Sequence, residues 1–147
     1  MPTHPDLTIR LIKGDDELDH CLMIRRRVFI EEQGVSEAEE MDDKEHLCGH
    51  LLALLGAEPI GTTRLNWLPG KLKVQRVAVL QEHRGTGAGL AMIKAAIDEA
   101  KSRSDIQKVV LDSQVSAIGF YEKLGFEATG PVFLDAGIDH RLMSLRL

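Results

Sequence analysis

Between residues 74 and 97 the chain passes from an alternating apolar segment, through the run Arg84-Gly85-Thr86-Gly87-Ala88-Gly89, into an amphipathic stretch. No other part of the sequence restricts the fold as much. Glycines at 85, 87 and 89 remove the side chains that would keep a ligand from the backbone, and they do so where a helix must begin. The first N–H groups of a helix have no partner within it, and the aligned peptide dipoles place about half a positive charge there. A strand, a glycine turn and a helix N-terminus in this order form a cradle for phosphate. The spacing is that of neither common nucleotide signature: no Lys-Ser or Lys-Thr follows, and the third glycine comes one residue too early for a dinucleotide fingerprint. Taken alone, the run also reads as a plain glycine-rich turn.

The rest of the pattern supplies the elements around it. Residues 7–12 alternate as a short strand, and Asp15 or Asp16 is placed to cap the helix that follows. Along that helix Leu18, Cys21, Leu22, Val28 and Phe29 share a face, with Arg25 inside the stripe. Residues 31–45 lose the apolar period and carry eight carboxylates around Gly34, which predicts a loop or a short exposed helix. Residues 46–55 and 58–67, joined through Gly56-Ala57, read as an antiparallel hairpin, and Pro69-Gly70 makes the next turn. Residues 71–80 then alternate, with Leu72, Val74, Ala78 and Leu80 on one face and Arg76 among them. A helix over about residues 87–101 buries Leu90, Ile93, Ile97 and Ala100. Residues 109–111 form a short buried strand, and residues 116–124 a short helix stopped by Gly125. Strands return from Phe126, with Pro131, Gly137 and Asp139 marking a loop before a last strand over 141–147.

The length of 147 residues fits one domain spanning the whole chain, with no repeats or linkers. Hydrophobic content of 44% and charged content of 28% are ordinary, and no apolar run approaches the roughly 20 residues of a membrane span. The first six residues, Met-Pro-Thr-His-Pro-Asp, lack a basic region followed by an apolar stretch, so a cytoplasmic location is expected. There Cys21 and Cys48 are expected as reduced thiols. A net charge of -5 argues against general affinity for nucleic acid or anionic lipid and is compatible with a cationic or zwitterionic small molecule.

The run Ala117-Ile118-Gly119-Phe120-Tyr121-Glu122-Lys123-Leu124-Gly125-Phe126 gives the cradle a specific companion. Together they resemble the GNAT superfamily of acetyl-CoA-dependent N-acetyltransferases, in its short single-domain bacterial form. Its core motif runs Gln/Arg-x-x-Gly-x-Gly/Ala, matched by Arg84, Gly87 and Gly89, and its late helix carries Phe-Tyr-Glu-Lys-Leu-Gly-Phe, matched by residues 120–126. The order of elements agrees from Leu7 to Leu147, with the N-terminal third matched only in outline. The resemblance implies an α/β (α+β) GNAT fold: a mixed, mostly antiparallel sheet of six or seven strands, splayed between strands 4 and 5, with flanking helices. Acetyl-CoA, as acetyl donor, would enter the gap between residues 71–80 and 108–114.

By the same resemblance, Val77 and Val79 offer backbone groups to the pantetheine arm. Arg84, Gly85, Thr86, Gly87, Ala88, Gly89 and Leu90 hold the pyrophosphate through N–H donors. The chain departs from the family pattern at Gln81, where proline is common, and at Gln114, where asparagine is common; Gln114 still offers an amide to the cofactor or acceptor. The implied reaction is direct transfer of acetyl to a primary amine of a small molecule in a ternary complex. The alternatives are a silent acyl-CoA-binding module that regulates a partner, and acetylation of a protein N-terminus or lysine. A homodimer is left open, and neither nucleic acid nor membrane is expected as a partner.

Acetyl transfer to an amine needs a neutral nucleophile, donors for the developing oxyanion and a proton for the departing thiolate. Tyr121 matches the family's tyrosine beside the thioester sulfur and is the candidate general acid; its other role is packing between Phe120 and Leu124. The oxyanion donor would be the backbone N–H near Val79. His140 is the candidate base, because imidazole titrates near neutral pH and its Gly-x-x-His-x-x-Met setting resembles one in short GNAT proteins. Arg25 and Arg76 occupy apolar positions and so need carboxylate or phosphate partners, either on an acceptor or within the chain at residues such as Asp42 and Asp43. The eight carboxylates of residues 31–45 form a solvated face or steer a cationic amine. His46, Cys48 and His50 alternate along a strand, but three side chains on one strand seldom converge tetrahedrally, so no metal site is expected.

Overall fold

The computed structural model describes residues 4–147. Strands β1 (Leu7–Leu11), β2 (Gly49–Leu55), β3 (Glu58–Leu68) and β4 (Lys71–Val79) are joined by tight turns or by the first helices. They pair with β5 (Lys108–Gln114), β7 (Ile138–Arg146) and β6 (Glu127–Asp135) in one seven-stranded sheet of order β1-β2-β3-β4-β5-β7-β6. Every neighbouring pair is antiparallel except β4 and β5, which run parallel because helix α3 (Ala88–Lys101) crosses between them. The mixed, splayed sheet expected from the resemblance is the one observed, with seven strands.

The two faces of the sheet carry different helices. Leu51 and Ala53 of β2 meet α3 residues Ile93, Ala96 and Met92, whereas Leu52 between them meets Cys21, Ile24 and Val28 of the opposite layer. That layer is helix α1 (Asp15–Arg25), which runs on into a wider, π-helical segment at Arg26–Glu32. Its N-cap is Gly14, with no side-chain cap; Asp15, Asp16 and Glu17 lie in the first turn, where the helix dipole favours them. Ile24, absent from the expected stripe, is fully buried, while Leu22 is only half-buried. The acidic segment forms the short helix α2 (Glu37–Glu40), capped by the Ser36 hydroxyl, which accepts from the N–H of Glu39.

Two local expectations are corrected. Pro131 and Asp139 lie within β6 and β7, and the turn is at Ala136-Gly137, both with positive φ as a two-residue hairpin requires. His46 lies in a 3-10 turn ahead of β2, so only His50 of the three alternating side chains is in the strand. The His50 ring is buried with Nε2 3.0 Å from the Glu45 carbonyl, and burial pushes its pKa below the usual histidine value. No helix among the described residues is long and apolar enough to cross a membrane.

Candidate active site

The parallel ladder between β4 and β5 runs from Lys71↔Lys108 to Val74↔Leu111 and stops. Beyond it the strands part around a cavity of about 260 Å³, whose walls include Val77, Ser113, Gln114, Tyr121 and His140. The cause is local. In the β3–β4 register Thr62 pairs with Ala78 but Arg64 pairs with Gln75, so Arg76 and Val77 together oppose Thr63. This is a β-bulge, and its first residue, Arg76, has φ 54°, in the left-handed region where glycine is the usual occupant. Such a conformation in a non-glycine residue costs about 1–3 kcal/mol and persists only where neighbours hold it.

The extra residue also reverses the strand's alternation. Before the bulge Leu72 and Val74 pack with α3; after it Val77 and Val79 do so, while Ala78 and Leu80 turn to α1. The single apolar face expected for Leu72, Val74, Ala78 and Leu80 is therefore split between the two layers. Period-two reasoning fails at a bulge because one inserted residue flips every side chain after it.

A buried ion network abuts the bulge. Arg25 is 0% exposed and donates through Nη2 to Glu40 Oε2 (2.6 Å) and the Glu40 carbonyl (3.1 Å), through Nε to Glu40 Oε2 (3.1 Å), and through Nη1 to Glu45 Oε1 (2.7 Å). An acceptor-binding role for Arg25 is thereby corrected: its guanidinium is enclosed by the chain's own carboxylates. Arg64, also buried, donates to both oxygens of Asp42 (2.8 and 2.9 Å), to Glu45 (3.0 Å) and to Gln75 (3.0 Å). Arg76 lies at the cavity wall with Nε 2.9 Å from Glu40 Oε1 and Nη2 3.5 Å from Asp42 Oδ2. The Nε contact is off-line for a hydrogen bond and acts as a charge contact. The internal pairing weighed for both arginines is present, with Glu40 the principal partner of Arg76.

Hydrogen bonding from Arg64 holds the Asp42 carboxyl well below the usual range. For Glu45, burial would raise the value, but the hydrogen bond from Arg25 and the charges of Arg25 and Arg64 lower it overall. Five of the eight carboxylates expected to form a solvated or steering face, Glu32, Glu37, Glu40, Asp42 and Glu45, are in ion pairs. Sequence reasoning missed Glu40, Glu45 and Arg64. The available signal was Arg64 itself, a charge inside an otherwise buried strand, which requires a carboxylate nearby.

The glycine run lies between the end of β4 and the start of α3 and forms an open helix N-terminus. Gly85 and Gly87 have φ 94° and 86°, and Gly87 is the N-cap of α3, with no side chain capping the first N–H groups. No neighbouring atom lies within 4 Å of where a side chain at Gly85 would begin, so the backbone there is open to a ligand. These residues fit a diphosphate; Gly85, Thr86, Gly87, Ala88, Gly89 and Leu90 would hold it through backbone N–H groups. Arg84 instead forks onto Glu32 at 2.7 Å for both oxygens and donates to the Val79 carbonyl at 3.1 and 3.2 Å. One of the two backbone positions expected to meet a pantetheine arm thus already has a donor in this structure.

On the inner wall, the Tyr121 ring is fixed by edge contacts to Phe120 and Phe126, with centroids 5.0 and 5.9 Å away. Burial pushes its phenol up to about 12. His140, on β7 and paired in register with Gln114 of β5, lines the same cavity. Its Nδ1 lies 2.7 Å from the Ile138 carbonyl, which can only accept, so Nδ1 carries the proton and the Nε2 lone pair of the neutral ring is left for another group. The Phe133 ring stacks against the imidazole at 6.0 Å. Gln114 donates to Gln33 Oε1 at 3.0 Å, tying the end of β5 to the turn after α1.

A β4–β5 pair that parts around a cavity with a tyrosine in its lining, and an open helix N-terminus following β4, defines the class of acyl-CoA-dependent acyltransferases. The GNAT acetyltransferase domain family matches residues 24–147, and the chain belongs to that family. It is similar to two Bacillus subtilis proteins: the uncharacterized protein YyaT is 36% identical over 141 residues, covering 94% of this chain and 95% of the relative. The uncharacterized N-acetyltransferase YjcF is 33% identical over 134 residues, covering 90% and 95%. Among solved structures, an acyl-CoA N-acyltransferase from Pseudomonas aeruginosa superposes with a TM-score of 0.82 at 25% identity, over 95% of this chain and 97% of that one. A GNAT family acetyltransferase from Elizabethkingia anophelis with acetyl-CoA bound shares the fold, with a TM-score of 0.70 at 21% identity over 97% and 99%. The protein is an acyltransferase by family.

Proposed function

We propose that this chain transfers acetyl from acetyl-CoA directly to a primary amine of a small molecule, with donor and acceptor bound together. The observation that supports the reading is that Tyr121 and His140, whose Nε2 lone pair is left available, line one cavity where β4 parts from β5, with the α3 cradle following directly after β4 in the chain. Bound acetyl-CoA would supply an activated thioester, and the chain's own groups orient the reactants and handle the protons. The amine arrives as an ammonium ion at neutral pH and must lose a proton before it can attack; His140 Nε2 is the acceptor for that proton. Backbone N–H groups of β4 near Val79, freed from β5 by the splay, face the charge that develops on the acyl oxygen.

Tyr121 lines the same cavity. A phenol at about 12 stays protonated across the physiological range, so the donor is always present. It is a weaker acid than an ordinary thiol, at about 8.5, so full transfer to sulfur is uphill by about 5 kcal/mol. Tyr121 therefore stabilises a departing thiolate chiefly by donating a hydrogen bond. A covalent relay through cysteine is disfavoured, because Cys21 is fully buried and burial raises the pKa of both Cys21 and Cys48, reducing the nucleophilic thiolate.

The test is a screen for CoA release across small amines and peptides, run beside Tyr121→Phe. Turnover on small amines with strong dependence on Tyr121 supports the proposal. Tight acetyl-CoA binding with no turnover on any acceptor favours a regulatory module, and turnover on peptides alone favours a protein acetyltransferase.

A further inference from the structure

We propose that Glu40 is a positioning residue for acyl transfer: acting through Arg76, it fixes the β4 bulge that opens the cleft, and the Arg76 side chain serves its own backbone rather than an acceptor. Position 76 is where a bulge of this kind favours glycine, yet the chain places an arginine there at φ 54°. The guanidinium contacts explain the choice. Glu40 Oε1 lies 2.9 Å from Arg76 Nε, Asp42 Oδ2 lies 3.5 Å from Nη2, and the carbonyls of Glu39 and Glu40 each accept at 3.4 Å.

The anchor is itself immobilised. Glu40 is 2% exposed and held through its other oxygen by Arg25 of α1, while Asp42 is gripped at both oxygens by Arg64 of β3. Two helical segments and a neighbouring strand thus converge on one left-handed residue. With the bulge, Val77 and Val79 turn to α3 and β4 leaves β5 after Val74; a regular strand would carry Val77 and Val79 to the α1 face. The acidic segment acts as a clamp on catalytic geometry. The kinetic arm of this inference rests on the acyl-transfer reading; its structural arm does not.

Arg76→Ala and Arg76→Gly separate shape from charge, because both delete the guanidinium and only glycine adopts the left-handed conformation freely. Glu40 keeps Arg25 in both variants, and thermal denaturation checks folding. Arg76→Ala should lower kcat about tenfold with acceptor KM little changed, and Arg76→Gly should stay within about threefold of wild type. Glu40→Gln should lose kcat, and Glu40→Gln with Arg76→Gly should regain the level of Arg76→Gly alone. In ligand-free protein, the Val77 and Ala78 amide resonances should stay near wild type in Arg76→Gly and move in Arg76→Ala. Equal losses in Arg76→Ala and Arg76→Gly, above all in KM, would overturn the proposal by showing that the guanidinium itself meets the acceptor. Wild-type kcat and amide positions in Arg76→Ala would overturn it by showing that the bulge needs no clamp. Should wild type turn over no amine, the acyl-transfer reading fails while the amide shifts still decide the role of the clamp.

Discussion

Arg25→Met replaces a fully buried cation by an apolar side chain and removes four hydrogen bonds, three to Glu40 and one to Glu45. Breaking a buried ion pair by deleting one partner typically costs about 3–5 kcal/mol, because a buried charge is left uncompensated. Here each stranded carboxylate keeps a second cation, Arg76 beside Glu40 and Arg64 beside Glu45, so the lower end applies, about 3 kcal/mol. For a chain of this size that corresponds to a fall in Tm of about 6–12 °C. Circular dichroism melting at neutral pH measures it, and acceptor KM well below Tm should be unchanged.

The acid limb gives an independent measure of the same variant. The Glu45 carboxyl is held below its ordinary 4.5 in the folded state, so its stabilisation is present above that value and lost as pH falls through the folded one. Wild type should therefore lose Tm progressively below about pH 4.5, and Arg25→Met, lacking the Arg25 hydrogen bond, should lose less over the same interval. An unchanged Tm together with a raised KM for acidic or amino-acid-like acceptors would refute the reasoning and return Arg25 to the acceptor.

Tyr121→Phe should lower kcat about 100-fold with Kd for CoA unchanged by calorimetry, and the wild-type kcat profile should show no Tyr121 limb below about pH 10. Gly87→Val places a β-branched residue at φ 86° and should raise the Kd for CoA at least about tenfold, read by calorimetric titration. Because five carboxylates of residues 31–45 are paired internally, KM for a cationic amine should change less than about twofold between about 0.05 and 0.2 M salt; a steep rise would restore the steering role.

The cradle was legible because its chemistry is local: glycines, a strand before and a helix after are contiguous, and the structure adds only the φ angles of Gly85 and Gly87. Tyr121 was legible as part of a contiguous run, and His140 only through its resemblance to a short motif; that the two line one cavity depends on the order β5-β7 in the sheet. Arg25 and Arg76 were recognisable as arginines in need of partners. Glu40 was not recognisable as the partner, since among eight carboxylates nothing in the spacing distinguishes the one that is buried from those in water.

The sequence by itself determined the element order, the glycine-flanked helix N-terminus and the residue types available for acyl transfer, because these follow from composition and period over a few neighbouring positions. Only the tertiary structure decided where β4 leaves β5, which face Val77 and Val79 take, and which carboxylates are spent on arginines. Those outcomes depend on a one-residue bulge and on contacts between residues as far apart as 25 and 45 or 40 and 76, and a local pattern carries no information about either.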